Sequence, residues 1–131
     1  MSQDILLDTS VIIAHLRGKF DIRPFTPKGV RLFASMFTIG ELEKGINKAA
    51  HPEKERVKTE HLLEGIALIL PDNATAAIYG EVTAKLEKAG CRIPENDAWI
   101  ASVALECDME LATGDAHFER VEGLKVLKLT W

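Results

Sequence analysis

Short apolar runs alternate with amphipathic segments along most of the chain. The first run, residues 5–7, is entirely apolar, and similar runs predict strands at residues 31–37, 66–70, 110–113 and 124–129. A run that is apolar on both faces is typical of a parallel strand covered by helices on each side. The pattern therefore predicts a parallel sheet at the centre of the protein.

Segments with helical periodicity fill the intervals between these runs. A short helix is predicted at residues 10–17 and a charge-rich helix at residues 52–65. Apolar residues recur at every fourth position from Ala74 to Leu86, with Asn73 as the expected N-cap and Gly90 as the end of the helix. This alternation predicts an α/β fold with three layers, α/β/α, and a central sheet of four to five strands in one domain, residues 1–131.

Composition and charge narrow the class of protein. The 131 residues are 47% hydrophobic and carry a formal net charge of −4, as in an ordinary soluble domain. Without an overall basic footprint, any binding of nucleic acid must be local or assisted by metal. We find no signal peptide and no apolar segment long enough to span a bilayer, so we expect a cytoplasmic protein without membrane contact.

Residues 17–31 form the one markedly basic segment of the sequence. Five basic residues face a single acid, Asp21, and two prolines, Pro24 and Pro27, disfavour a continuous helix. The segment is interpreted as an exposed loop. It is either simply solvated or a surface that contacts a phosphate backbone.

Four carboxylates stand at the junctions between predicted strands and helices. Asp8 and Asp115 each follow a strand, and Glu41 and Asp97 are each expected in the first turn of a helix. Because the carboxyl ends of parallel strands and the amino ends of the following helices share one edge of the sheet, the four side chains should converge there.

Each of these acids also has a purely structural interpretation. Asp8, or Thr9 beside it, can cap the following helix. Thr38 and Glu41 have the spacing of a capping box, and Asp97 in a first helical turn interacts favourably with the helix dipole. Taken singly, the acids leave both interpretations open.

Convergence of the four acids would require compensation of their charge. Two carboxylates about 5 Å apart repel by roughly 3 kcal/mol at an effective dielectric constant of 20. Such a cluster either has raised pKa values or holds a cation, and all-oxygen ligation suits Mg²⁺ or Mn²⁺. The chemistry that this arrangement indicates is metal-assisted hydrolysis of a phosphodiester.

Four short blocks follow one another along the chain. They are Leu7-Asp8-Thr9-Ser10, Ser35-x-x-Thr38-x-x-Glu41-Leu42-x-x-Gly45, Pro94-x-x-Asp97-x-x-Ile100-Ala101 and Thr113-Gly114-Asp115-x-x-Phe118. In this order and spacing they resemble the PIN domain and, more narrowly, the VapC toxin ribonucleases of type II toxin–antitoxin modules.

The resemblance implies roles for individual residues. Asp8, Glu41 and Asp97 match the family's metal-binding acids, and Asp115 matches a fourth, more variable acid. Thr113 matches a hydroxyl residue that is expected to orient the site. All five residues are therefore candidate catalytic residues, and the four acids are the candidate metal ligands.

The resemblance also implies an activity and partners. It implies an Mg²⁺- or Mn²⁺-dependent endoribonuclease, with structured RNA such as transfer RNA among the candidate substrates. It further implies homodimers and a small cognate antitoxin. Two positions depart from the family pattern, because Ser10 stands where Asn is frequent and Gly114 stands where a basic residue is common.

Two other classes of function remain as alternatives. The first is a non-catalytic module that binds RNA or a partner, in which the acids serve only as helix caps. The second is a phosphotransfer domain related to phosphatases or receiver domains. The phosphatase pattern requires a second Asp two residues after the first, and Ser10 occupies that position.

The remaining polar and aromatic residues give weaker signals. Trp99 is expected to anchor packing or an interface, whereas the position of Trp131 is not predicted. The four histidines are expected to be surface or packing residues: His15, His51, His61 and His117.

Overall fold

Five parallel strands form the central sheet. The structure, a computed structural model, describes residues 3–131. The strands are β1 (Gln3–Leu7), β2 (Val30–Ser35), β3 (Ala67–Ile69), β4 (Glu110–Thr113) and β5 (Val126–Lys128), and their order in the sheet is β3-β2-β1-β4-β5. The predicted α/β fold with a parallel sheet is confirmed.

Helices cover both faces of this sheet. They are α1 (Thr9–Leu16), α2 (Met36–Lys48), α3 (Pro52–Leu63), α4 (Asn73–Lys88) and α5 (Glu95–Glu106), with short 3₁₀ helices at Arg23–Phe25 and Ala116–Arg120. Within residues 3–131, none of the helices combines the length and the apolar character that a membrane crossing requires.

The strand β1 explains why the first apolar run has no polar face. Leu6 packs with Ile100 of α5 in the core on one side of the sheet, whereas Leu7 packs with Val11 and Ile12 of α1 on the other side. All of these side chains are almost completely buried. A strand buried on both faces requires apolar residues at successive positions.

The order of the strands creates a switch point beside β1. The chain builds β1, β2 and β3 outward in one direction and then returns to place β4 on the opposite side of β1. Leu7 lies opposite Ala112 in the parallel register of these two strands. Open α/β sheets bind ligands in the crevice beyond the strand ends at such a point.

The second strand is shorter than predicted. It ends at Ser35, and Met36 and Phe37, which were assigned to the strand, begin α2. The Ser35 side chain accepts a hydrogen bond of 3.2 Å from the backbone amide of Thr38 and so caps the helix. The apolar run thus spans two elements, with the N-cap serine at their junction.

The start of α4 also differs from the prediction. Asp72, not Asn73, is the N-cap, and it forms a capping box with Thr75, whose amide donates to the Asp72 carboxylate at 3.1 Å. Ala74 is exposed, whereas Val82 and Leu86 of the predicted apolar stripe are buried. An Asp at the N-cap leaves the neighbouring Asn inside the first turn.

Two arginines of the basic segment 17–31 form ion pairs at the surface. Arg23 lies 2.7 Å from Asp21, and Arg31 lies 2.8 Å from Asp4 on β1. Because these carboxylates neutralise part of the positive charge, the segment as a whole is a weaker phosphate-contact surface than its composition indicates.

Candidate active site

Asp8 lies at the carboxyl end of β1 and is only 4% exposed. It is the N-cap of α1, and its Oδ1 atom accepts a hydrogen bond of 2.8 Å from the amide of Thr9. The structural interpretation of Asp8 as a cap is therefore confirmed. The cap uses one of the two acceptor positions of Oδ1 and leaves the other for a ligand.

Two hydroxyl groups fix the orientation of the Asp8 carboxylate. Ser10 Oγ and Thr113 Oγ1 each donate a hydrogen bond of 2.7 Å to Asp8 Oδ2. Each hydroxyl in turn accepts from a backbone amide, Ser10 from Gly114 at 3.2 Å and Thr113 from Asp115 at 3.0 Å. Since those amides can only donate, both hydroxyl protons must point at Asp8.

Glu41 reaches the same region from α2. It lies in the second turn of α2 rather than in the first turn as predicted, because the helix begins at Met36. The capping-box interpretation of Thr38 and Glu41 is wrong, since Ser35 caps α2 and Glu41 Oε1 instead accepts a hydrogen bond of 2.7 Å from Thr9 Oγ1. This contact joins α2 to the start of α1.

Asp97 lies in the first turn of α5, as predicted, and its side chain is 16% exposed. Burial is the main cause that raises the pKa of Asp97 from 3.8 to about 6, and the nearby charge of Asp8 adds to it. The charges of Asp115 and Glu41 raise it further, against an opposing contact from His117. Carboxylates from four separate parts of the chain therefore share one electrostatic environment.

Burial also raises the pKa of Asp8. The hydrogen bonds from Ser10, Thr113 and Thr9 oppose this shift because they stabilise the ionised carboxylate, whereas the charge of Glu41 adds to it. Asp8 is thus a desolvated carboxylate held in place by donors. A cation beside Asp8 would offset the energetic cost of burying its charge and would also reduce its repulsion with Glu41.

Asp115 follows β4 and brings a histidine into the cluster. Its Oδ1 atom accepts a hydrogen bond of 2.9 Å from the amide of His117. The imidazole Nδ1 of His117 lies 3.2 Å from Asp115 Oδ1 and 3.4 Å from Asp97 Oδ2. His117 is 39% exposed, and the structure places it beside two of the candidate acids, a position that the sequence analysis did not predict. Its spacing, two residues after an acid at a strand end, was the signal available in the sequence.

The donor set of this cluster fits a divalent cation. One ligand atom each from Asp97, Asp115 and His117 lie within 4.8 Å of one another, and no other such group of three occurs in residues 3–131. The buried carboxylate of Asp8 adds negative charge beside them. Carboxylate oxygens suit Mg²⁺ and Mn²⁺, and an imidazole nitrogen is the better ligand for transition metals.

A groove of about 450 Å³ runs from Glu41 between α1, α2 and α3. Apolar side chains such as Leu42 line it, together with the cationic side chains of Arg17, Lys48 and Lys58. Glu55 also lines the groove and lies 3.8 Å from Lys58. The groove therefore combines an apolar lining with positive charge and opens at one of the candidate site acids.

Comparisons with known proteins identify the family of the chain. The family model of the PIN domain matches residues 5–124. Ribonuclease VapC4 of Mycobacterium tuberculosis is 30% identical over 126 residues, which are 95% of this chain and 95% of that protein. Ribonuclease VapC2 of Haemophilus influenzae is 28% identical over 123 residues, or 92% of this chain and 93% of that protein.

Solved structures of toxin–antitoxin complexes share the fold. VapBC2 from Rickettsia felis, bound to a DNA fragment from its promoter, superposes with a TM-score of 0.90 at 24% identity over 96% of this chain and 98% of the other. VapBC-1 from nontypeable Haemophilus influenzae superposes with a TM-score of 0.87 at 28% identity, again over 96% and 98%. The chain therefore belongs to the PIN domain family, and it is similar to several members of that family that are named ribonuclease VapC.

Proposed function

We propose that the protein is a metal-dependent endoribonuclease that hydrolyses RNA phosphodiester bonds and acts as the toxin of a toxin–antitoxin pair. The observation that carries this proposal is the convergence of four acids at the switch point beside β1: Asp8, Glu41, Asp97 and Asp115. Burial raises the pKa of Asp97, and the charges of the other three acids raise it further. The relatives named ribonuclease VapC support the same activity.

The proposal assigns a role to each polar side chain of the site. Asp8, Glu41, Asp97 and Asp115 would hold the cation. Thr113 keeps the Asp8 carboxylate in a fixed orientation through its 2.7 Å hydrogen bond. An oriented, partly desolvated set of carboxylates binds a cation without first rearranging.

Mg²⁺ is the cofactor that we propose, with Mn²⁺ as the alternative. A cation held by these acids supplies charge neutralisation at the scissile phosphate and lowers the pKa of an attacking water. The imidazole of His117, 3.2 Å from Asp115, favours Mn²⁺ more than an all-oxygen site would. The substrate is RNA, and structured RNA such as transfer RNA is the first to test.

The groove beside Glu41 is the proposed site for the antitoxin. Its apolar side chains and the cations Arg17 and Lys48 suit an amphipathic segment with acidic residues. A segment bound in this groove would reach Glu41 and would therefore block the access of RNA to the acids. The solved VapBC complexes support the existence of such a partner.

The proposal extends to the assembly and its location. Leu68 and Leu70 expose apolar side chains at the β3 edge of the sheet, and a second copy of the chain that covers this edge would bury them. We propose a homodimer that acts in the cytoplasm, where its RNA substrates are found.

The direct test is cleavage of end-labelled transfer RNA with Mg²⁺, Mn²⁺ or EDTA. The wild type should cleave with either metal and not with EDTA, and Asp8→Asn should be inactive with both metals. Asp108→Asn is the matched control, because Asp108 is an exposed acid that pairs with Lys125. It should cleave like the wild type.

Either of two results would contradict the proposed function. One is full activity in Asp8→Asn, which would show that cleavage does not depend on the acid cluster. The other is RNA that the wild type binds equally well in EDTA, in Mg²⁺ and in Mn²⁺ but cleaves in none of them, which would favour the non-catalytic binding module.

A further inference from the structure

The indole ring of Trp131 rests on the backbone of Gly114. A Cβ atom built at Gly114 would lie 2.3 Å from Cη2 and 2.7 Å from Cζ2 of Trp131, so any side chain at position 114 would displace the ring. Glycine at this position, where the family commonly has a basic residue, leaves the space that the indole fills.

Phe20 supports the indole from another side. The centroids of the two rings are 5.6 Å apart with an angle of 49° between their planes, and Phe25 lies 5.9 Å from Phe20. Trp131 nevertheless remains 48% exposed. We call the pair of Trp131 and Phe20 the aromatic ledge.

The aromatic ledge borders the acid cluster through the backbone. Gly114 lies between Thr113 and Asp115, and its amide donates to the Ser10 hydroxyl that bonds Asp8. The chain leading to Trp131 is fixed on the same strand end, because the amide of Leu129 donates to the carbonyl of Thr113 at 2.8 Å. The exposed indole is therefore held beside the candidate catalytic centre.

We infer that the aromatic ledge stacks a nucleobase of the RNA next to the phosphate that is cleaved. This inference rests on the proposed function and names a contact that positions its substrate. Proteins hold single-stranded nucleic acid by stacking bases on exposed aromatic rings, and each base has a π-face to offer. Beside four acids, which repel phosphates, an uncharged stacking contact adds affinity without conflicting with the cluster.

The kinetic test uses an RNA that the wild type cleaves. Trp131→Ala should raise KM about ten-fold and change kcat less than about three-fold, because stacking contributes to binding of the substrate. Trp131→Phe should recover most of the loss, since a smaller aromatic ring still stacks. Replacing the stacked nucleotide by an abasic one should weaken binding to the wild type but not to Trp131→Ala.

Gly114→Ala gives a second and independent test. The added methyl group displaces the ring, so the single variant should resemble Trp131→Ala. In the double variant Gly114→Ala/Trp131→Ala the methyl group has no ring to displace, and KM should be no higher than in Trp131→Ala alone. Additive increases in KM would show that Gly114 acts independently of the aromatic ledge and would overturn the inference.

Fluorescence tests the contact with Trp131 intact. Trp99 and Trp131 are the two tryptophans of the chain, so Trp99→Phe leaves Trp131 as the sole reporter. Stopped-flow mixing of this variant with RNA in Mg²⁺ should quench the indole before cleavage begins.

The outcomes separate this inference from the proposed function. A wild type that does not cleave RNA would overturn both. A wild type that cleaves, with Trp131→Ala at an unchanged KM and no quenching in Trp99→Phe, would overturn the aromatic ledge alone. Loss of kcat together with loss of metal affinity in Trp131→Ala would also overturn it, because the ring would then only support the acids.

Discussion

Asp8 and Asp97 occupy the same crevice under different constraints. Asp8 is almost fully buried and accepts three hydrogen bonds, two of them from hydroxyls whose protons are directed by backbone amides. Asp97 has fewer donors, and its pKa is raised to about 6. In the absence of a cation, Asp97 therefore binds a proton at a higher pH than an ordinary aspartate does.

Asp97→Asn should change how the stability of the metal-free protein depends on pH. The pKa of Asp97 rises from 3.8 to about 6 on folding, so its favourable contribution is complete below pH 3.8 and is lost as pH rises through 6. Asn carries no charge and avoids this loss. At pH 7.5 in EDTA, the variant should be more stable than the wild type by up to about 3 kcal/mol.

Urea unfolding between pH 4.5 and 7.5 measures this effect. The advantage of Asp97→Asn should shrink as pH falls, because the wild-type carboxyl becomes protonated. Asp108→Asn, an exposed acid outside the cluster, should show no comparable trend. An advantage of Asp97→Asn that is the same at pH 4.5 and 7.5 would contradict the assigned electrostatics.

Among the elements, α2 begins at a cap that is itself fully buried. Ser35 is fully buried, ends β2 and caps α2, which carries Glu41 to the Thr9 hydroxyl. Because Glu41 lies in the second turn of α2, a change in the direction of the first turn would move the Glu41 side chain away from Thr9. The position of this acid is therefore a property of the junction between a strand and a helix.

Ser35→Ala should lower stability and activity together. Loss of the cap should cost about 1 kcal/mol of unfolding free energy and disorder the first turn of α2. The matched control is Asp72→Ala, which removes the N-cap of α4, a helix that carries none of the four acids. It should lower stability by a similar amount and leave RNA cleavage unchanged. If both variants lost RNA cleavage equally, the loss would follow from lower stability and not from the position of α2, which would contradict this prediction.

Much of the fold could be predicted from local pattern. Residues 5–7 predict a buried parallel strand because both faces of β1 are covered, and the charged helix at residues 52–65 forms as α3. The junction at Ser35 could not be located in this way, since apolar residues continue from β2 into α2. Periodicity does not distinguish a strand end from a helix start when both are buried.

The candidate site was less accessible to sequence reasoning than the fold. Because Asp8 and Asp115 follow strands and Asp97 begins a helix, the sequence pattern alone places these acids at one edge of the sheet. His117 was missed because a lone histidine carries little signal, and Trp131 could not be placed because its contact with Gly114 joins two separate strand ends. Only tertiary structure shows such a contact.

At the scale of the whole molecule, exposed apolar residues gather at the β3 edge of the sheet. Leu68 of β3 and Leu70, which follows this strand, are 49% and 63% exposed. Met36 is also exposed, and it follows Ser35, which lies opposite Ile69 in the parallel register. Edge strands that expose apolar side chains are usually covered by another chain.

Leu70→Glu should therefore weaken the proposed homodimer. Light scattering coupled to size exclusion should give twice the 14.5 kDa chain mass for the wild type and the monomer mass for this variant. Val57→Glu is the control, because Val57 is an exposed apolar residue on α3 rather than on the β3 edge. A dimer that persists in Leu70→Glu would place the interface elsewhere.

Thermal unfolding with metal tests most directly whether the convergent acids form one cation site. The wild type, Asp8→Asn and Asp108→Asn would each be unfolded in EDTA, in Mg²⁺ and in Mn²⁺. Because a ligand that binds only the folded state stabilises it, both metals should raise the Tm of the wild type and of Asp108→Asn, but not that of Asp8→Asn. An equal rise in all three proteins, or none in the wild type, would contradict the account.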